Sequence, residues 1–343
     1  MIEKLEKIYT ATYGMAPDKI EPLRSDGSDR KIYRIFHGDR TVIGILGNNR
    51  EENEAFINYS RHFRNHGLDV PEIYAVNLDE GVYLEEDLGD DTLFLWMMAI
   101  RDKSGFTGDI KDVYRSVVKI LPRFQITAGK SIDYSYAYQH TEFALESMSW
   151  DLHYFKNHFL NYFYKQKLDH TELAKDFNAL MKFLLQEKRV YFLYRDFQSR
   201  NIMIKNLSPY FIDYQSGRKG ALQYDLGSLL YDAKANLPED FREELIDVYL
   251  KEASQLGNIN SKKFRKYFYG FVLIRTMQAF GAYGYLSAVK GKTHFFKSVP
   301  YALRNLEILL KKDIPVLSKL KTLRKIFTNL TENEEITKFA NEI

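Results

Sequence analysis

The chain has 343 residues and a formal net charge of +3, enough length for two packed lobes and too little charge to argue for nucleic acid. Hydrophobic residues make up 45%, charged residues 28% and aromatics 15%, a globular composition rich in Tyr and Phe. The absence of cysteine excludes disulfides, Cys-based zinc sites and a thiol nucleophile.

The N-terminal MIEKLEKIYTATYG is a mixed-charge amphipathic segment without the apolar run of a signal peptide, which points to the cytoplasm. RSDGSDR (24–30) is small, polar and glycine-containing. KIYRIF (31–36) and TVIGIL (41–46) flank HGDR, a hairpin with Gly38 and Asp39 at its turn. Residues 51–66 carry Ala55, Phe56, Tyr59 and Phe63 as one helical stripe, with Gly67 placed to end it. EIYAV (72–76) and VYLEE (82–86), joined by NLDEG, form a second hairpin. Residues 1–87 therefore read as a small sheet with one crossing helix, and Gly89 to Thr92 as a boundary and helix start.

Most of 90–190 and 221–343 has helical periodicity, with FNALMKFLLQEK (177–188) a strong case. Between Lys266 and Lys290 the sole charge is Arg275. The stretch is long enough to span a bilayer, but an internal arginine, a glutamine, glycines and tyrosines favour a buried helix or helical hairpin. The basic tail KKDIPVLSKLKTLRKIFTNL (311–330) reads as a packed terminal helix with a solvated lysine face rather than a membrane or partner contact. Three short strand-like runs interrupt the helical half: VYFLY (190–194), NIMIK (201–205) and PYFIDY (209–214), the last two joined by a turn at Asn206–Pro209. The expected architecture is α+β, a small antiparallel-sheet N-terminal lobe (1–87) followed by a larger, mainly helical C-terminal lobe (88–343).

The chemistry gathers on those runs. Asp196 follows the first, Asn201 starts the second five residues later, and Asp213 ends the third. A hairpin brings the outer ends of its arms together, so the oxygens of Asn201 and Asp213 can share one spot. Two hard oxygen ligands beside a further carboxylate suit Mg²⁺ on a polyphosphate, with that carboxylate accepting a proton from an attacking hydroxyl. Asp and Asn at strand ends are also ordinary turn formers; the order and spacing, Y-R-D-F-Q-S-R-N and then D-Y-Q, are those of the kinase loops H-R-D-x-x-x-x-N and D-F-G.

RDFQSRNIM with IDYQSGRKGALQYDLGSLLYD resembles the aminoglycoside-phosphotransferase and choline-kinase superfamily of protein-kinase-like fold. Within it the chain is most similar to bacterial kinases that phosphorylate the anomeric hydroxyl of N-acetylmuramate and N-acetylglucosamine. GLDVPEIYAVN, LEEDLGDDTL and residues 275–306 extend the likeness over most of 25–306. The resemblance implies Asp196 with Arg195 as the catalytic pair, Asn201 and Asp213 as metal ligands, and Asp225 as support for the loop, through Arg195. Asp225 also reads as a helix N-terminal cap. Ser25, Asp26, Gly27 and Ser28 would lie in the phosphate-covering loop, with Arg30 and Arg34 as nucleotide-binding cations. Gln198, Arg200, Gln215 and Arg218, beside the catalytic groups, are the candidate sugar contacts, and an arginine such as Arg200 or Arg218 would suit a substrate carboxylate.

Three positions depart from the kinase pattern. Tyr194 replaces the first His, Tyr214 replaces the Phe of D-F-G, and TVIGIL lacks the lysine that holds the α- and β-phosphates. Arg30, Lys31, Arg34 and Arg50 are the nearby cations, and Glu51, Glu52 and Glu54 their available partners. The function expected is a small-molecule kinase using Mg²⁺ with ATP or GTP as co-substrate and an amino sugar as acceptor, with no nucleic-acid or membrane partner. An aminoglycoside or choline-type phosphotransferase is one alternative; a pseudokinase binding module, motivated by the missing lysine, is the other.

Overall fold

A computed structural model of the chain describes residues 2–23, 30–336 and 338. It divides into two compact units, the first comprising Met1–Thr141 and Ser199–Arg218, the second Glu142–Gln198 and Lys219–Ile343.

The first unit holds a five-stranded antiparallel sheet in the order β1-β2-β3-β5-β4. Its strands are β1 (Lys19–Leu23), β2 (Lys31–His37), β3 (Arg40–Leu46), β4 (Ile73–Asn77) and β5 (Val82–Glu86). The turn between β2 and β3 holds Gly38 at φ 54°, a conformation glycine adopts without strain. Helix α1 (Ile2–Tyr13) buries Leu5 and Tyr9 against Tyr33, Ile35, Val42, Leu46, Val82 and Leu84. Neither α1 nor β1 is among the elements expected from the sequence. Pro22 weakens the strand signal of β1, and β1 is an edge strand, where a missing N–H is tolerated.

Because β2, β3 and β5 alternate, the other sheet face carries Ile32, Arg34, Ile43, Ile45, Tyr83 and Glu85, cross-strand neighbours by register. Helix α2 (Arg50–Asn65) is capped by the Asn49 side chain, which accepts from the Glu52 N–H. Helices α3 (Leu93–Ser104) and α4 (Gly108–Pro122) complete the unit with the hairpin of β7 (Ile202–Lys205) and β8 (Ser208–Phe211). The hairpin turn is Asn206–Leu207, at φ 52° and 61°, tighter than the expected Asn206–Pro209 because Pro209 already pairs with Ile204. Three bonds fix the hairpin within the unit: Ile204 N to Asp91 O at 2.7 Å, Phe211 N to Asp69 O at 2.9 Å, and Lys205 Nζ to Glu86 Oε1 at 2.9 Å.

The second unit is mainly helical. Helix α5 (Leu145–Phe155) runs through a π-helical turn (Lys156–Leu160) into the short α6 (Asn161–Phe163). Helix α7 (His170–Leu184) follows, capped by Asp169. Strand β6 (Tyr191–Leu193) pairs with β9 (Arg218–Gly220), whose last two residues belong to this unit. Helices α8 (Gln223–Leu230), α9 (Glu239–Leu256), α10 (Ser261–Gly284), α11 (Val299–Lys311) and α12 (Lys321–Thr331) complete it. The Lys266–Lys290 stretch is one helix continued by a π-helical turn rather than a helical hairpin. No described helix is long and apolar enough to cross a membrane. As the tail pattern predicts, α12 buries Leu323, Ile326, Phe327 and Leu330.

The small antiparallel sheet and the predominantly helical remainder give the α+β, protein-kinase-like class expected from the sequence. The last strand of the sheet ends at Glu86 and α3 begins at Leu93, so element type changes near residue 87. As a division into functional lobes, 1–87 and 88–343 is a proposal; compactness groups 88–141 and the β7–β8 hairpin with the sheet.

Candidate active site

In the second unit, β6 is buried and delivers the chain into Tyr194-Arg195-Asp196. The Asp225 carboxylate accepts from the backbone N–H of Tyr194 at 2.8 Å and of Arg195 at 3.0 Å. Arg195 sits at φ 84°, a left-handed conformation that costs a non-glycine residue about 1–3 kcal/mol and persists only where its surroundings impose it. The Arg195 guanidinium makes a two-pronged ion pair with Asp151, Nη2 to Oδ1 at 2.5 Å and Nη1 to Oδ2 at 2.8 Å, and also donates to the Tyr224 hydroxyl. Burial pushes the guanidinium pKa down, but Asp151 and Tyr224 more than offset it and raise the pKa overall. Arg195 is buried, while the next residue, Asp196, is partly open. A clamped backbone and an anchored arginine thus set the direction of a single carboxylate.

Asp225 lies three positions into α8, whose cap position is Leu222, so its carboxylate braces the loop and does not cap the helix. It does so through backbone amides; the side-chain partner of Arg195 is Asp151, which no sequence spacing had singled out. Tyr194, in place of the kinase His, is fully buried and packs edge-on against Phe197 at 5.1 Å.

In the first unit, the ends of the β7–β8 hairpin converge as expected. Asn201 Nδ2 donates to Asp213 Oδ2 at 3.0 Å, and Asn201 O accepts from Ile212 N at 3.1 Å. Asp213 holds φ 69° and its side chain is 35% exposed. Its Oδ1 accepts from Arg30 Nη2 at 3.0 Å and Gln215 Nε2 at 2.8 Å. Arg30 Nε lies 3.3 Å from Glu52 Oε1, and Gln215 Nε2 reaches the same oxygen at 3.4 Å. Burial disfavours the Arg30 charge, but Tyr83, Asp213 and Glu52 together hold it ionised. Tyr214 is buried with its ring stacked on Phe56 at 5.1 Å and its hydroxyl 2.6 Å from Ser60 Oγ. A Tyr therefore serves in place of Phe because its polar end has a partner.

The question left by the lysine-free strand is thereby narrowed. Arg34 is bound to Asp87 Oδ2 at 2.7 Å and Asp90 Oδ1 at 2.9 Å, and Arg50 to Glu54 and Asp79. Arg30 is the cation joined to both the α2 acid Glu52 and the hairpin acid Asp213. Glu85, on the same sheet face as Tyr83, has its Oε2 buried and unbonded among the described residues. Burial pushes its pKa up to about 8, with Arg30 partly opposing.

Ser25, Asp26, Gly27 and Ser28 fall outside the described residues. Among the described residues, no group of three or more His, Asp or Glu side chains is placed to hold a metal. Asn201 and Asp213 offer one amide and one carboxylate, hard donors that suit a cation whose other ligands are phosphate oxygens and water. Of the expected sugar contacts, Gln198 lines a pocket of the second unit. Arg200 is exposed, with its guanidinium 4.0 Å from the Phe94 ring centroid. Gln215 and Arg218 are 5% and 2% exposed, and Arg218 is bonded to Ser216 O and Gln139 Oε1, each at 3.0 Å.

The sequence model of the phosphotransferase enzyme family matches residues 19–258. The chain is 25% identical over 313 residues to an N-acetylmuramate/N-acetylglucosamine kinase of Pseudomonas aeruginosa, covering 89% of this chain and 87% of that protein. A protein of the same name from Neisseria meningitidis serogroup B is 23% identical over 275 residues, 78% of each chain. Among solved structures, an amicoumacin kinase in complex with AMP-PNP and Ca²⁺ superposes with a TM-score of 0.62 at 12% identity, covering 96% of this chain and 93% of that one.

Proposed function

The chain belongs to the phosphotransferase enzyme family, and from that premise we propose that it transfers the γ-phosphate of ATP or GTP to the anomeric hydroxyl of an amino sugar of the N-acetylmuramate or N-acetylglucosamine type. Its enzyme class is that of a kinase with a hydroxyl acceptor; the amino-sugar acceptor is supported by the names of its relatives. The observation that carries the reading is the Asn201–Asp213 pair, 3.0 Å apart in a family whose reaction needs hard oxygen ligands.

In this reading Asp196 orients the acceptor hydroxyl. Its oxygen attacks the γ-phosphorus, the bond from that phosphorus to the β–γ bridging oxygen breaks, and the nucleoside diphosphate leaves. The hydroxyl proton passes to Asp196. Arg195, held by Asp151, fixes the loop from behind. Asn201 and Asp213 would hold Mg²⁺, which when bound offsets the negative charge of the phosphate oxygens. Arg30 replaces the missing strand lysine: it is anchored by Glu52, as that lysine is by its helix acid, and releases Asp213 to meet phosphate. Arg34, already committed to Asp87 and Asp90, shapes this face of the sheet, and the backbone of Ser25 to Ser28 covers the phosphates. Gln198 supplies a polar contact to the sugar, while Gln215 supports Asp213.

The test is Mg²⁺-dependent release of ADP from ATP, and of GDP from GTP, with N-acetylmuramate, N-acetylglucosamine, other hexoses, choline and kanamycin offered as acceptors. Stimulation by an amino sugar, lost in Asp196→Asn with the fold retained, is expected. Stimulation by choline or kanamycin instead would reassign the acceptor, and near-normal turnover by Asp196→Asn would remove Asp196 from its role.

A further inference from the structure

Arg275 is the sole charge between Lys266 and Lys290, and the reaction above leaves it unused. It lies within α10, partly buried. Its Nε donates to Ser228 Oγ at 3.0 Å and its Nη1 to Gln278 Oε1 at 2.7 Å, both neutral acceptors. Among the described residues it makes no ion pair. Two other arginines tied into the site are paired: Arg195 with Asp151, and Arg30 with Asp213 and Glu52. Its direct hydrogen-bond partners are neutral, so a ligand anion would give it a directly bonded counter-charge.

Arg275 lines a small depression open to solvent, together with Gln198, Ser228, Asp232, Tyr283 and Asn305. Arg242 shows the contrast: it also rests on neutral partners, Asn305 and the Tyr231 ring, but is sealed at 1% exposure. Gln198, which lines the same depression, is two residues beyond Asp196 in the chain. The Arg275 charge also acts on the Tyr224 phenol, which accepts from Arg195. A cation at one place and the Asp232 carboxylate at another would orient a molecule that carries both an anionic group and hydroxyl donors.

We propose that Arg275 receives a carboxylate of the acceptor, and that the enzyme therefore favours an amino sugar with an acidic substituent, N-acetylmuramate, over N-acetylglucosamine, which lacks the lactyl carboxylate. The proposal rests on the amino-sugar kinase reading. It moves the carboxylate contact from Arg200 and Arg218, expected from the sequence, to a residue on α10. A planar guanidinium pinned by Ser228 and Gln278 is pre-oriented, and its remaining N–H groups suit the two oxygens of a carboxylate.

The experiment compares initial rates and calorimetric binding for both sugars in the wild type, Arg275→Gln and Arg275→Lys. The wild type is expected to show the higher kcat/KM on N-acetylmuramate. Arg275→Gln should raise KM for that sugar about 10- to 100-fold, while the constants for N-acetylglucosamine change less than about threefold. Arg275→Lys, which keeps the charge and loses the fork, should fall between, and it carries the test alone if the Gln variant does not fold. Equal losses on both sugars, or no loss on either, would overturn the assignment while leaving the kinase reading intact. A wild type that binds and phosphorylates neither sugar would sink that reading, and this proposal with it.

Discussion

The Asp225 carboxylate accepts the backbone N–H of Arg195 at 3.0 Å, and with its other oxygen that of Tyr194 at 2.8 Å. One side chain thus holds two successive amides of a loop whose second residue is in a left-handed conformation. Asp225→Ala leaves both buried amides without that acceptor. A loss of about 2–4 kcal/mol is expected from the denaturant midpoint, with catalysis falling as Asp196 loses its fixed backbone. An Asp225→Ala protein of unchanged stability would show that the loop is held by other means.

Arg30 ties Glu52 to Asp213. With Arg30 in the proposed role of the missing lysine, Arg30→Ala should lower kcat/KM for the nucleotide about 100-fold or more. Arg30→Lys should recover part of the loss, since an ammonium restores the charge but not the two-sided fork. Steady-state kinetics at varied nucleotide concentration measure both, and a nearly normal Arg30→Ala would return the lysine question to the other cations.

Glu85 gives a pH dependence with a definite sign. Burial pushes its folded pKa up to about 8, above an unfolded value of about 4.3. Between those values the folded state holds a proton that the unfolded state has released. Its contribution to stability is full below the unfolded value and is lost as pH rises toward the folded one, with a slope of up to about 1.4 kcal/mol per pH unit. Denaturant unfolding from pH 5 to 8 should show a decline that Glu85→Gln flattens. Parallel curves for wild type and variant would mean that Glu85 ionises normally.

Helix α10 passes so close to the π-helical turn after α5 that a Cβ on Gly284 would stand 1.9 Å from His158 O and 2.6 Å from its carbonyl carbon. Backbone cannot yield as a side-chain tip does, so Gly284→Ala should cost at least about 2 kcal/mol. Gly108→Ala, where nothing lies within 4 Å, serves as the neutral control in the same melting experiment.

Much of this protein is legible in local pattern. Strand alternation located β2 to β5, a helical stripe located α2, and turn residues marked the hairpins. The order Asp196, Asn201, Asp213 pointed to a kinase-like site, and the β7–β8 hairpin brings Asn201 and Asp213 to 3.0 Å because its two arms end side by side. The edge strand β1 escaped, its signal weakened by Pro22, and the N-terminal segment of α1 reads as amphipathic without a helix being assigned to it.

The pairing of charges was not legible, and the reason is physical. A guanidinium reaches any carboxylate that packing brings within a few ångströms, whatever the separation along the chain. Arg30 had Glu51, Glu52 and Glu54 as equal candidates by sequence; the helical phase of α2 and the hairpin position select Glu52 and Asp213. Arg195 finds Asp151 at a separation of 44 residues, and Arg275 is left with neutral partners although acids abound in the chain. The linear order of residues sets the reaction class, because motif spacing within one loop and hairpin is a local property. Which cation meets which acid follows from packing, because electrostatic partnership depends on distance in space.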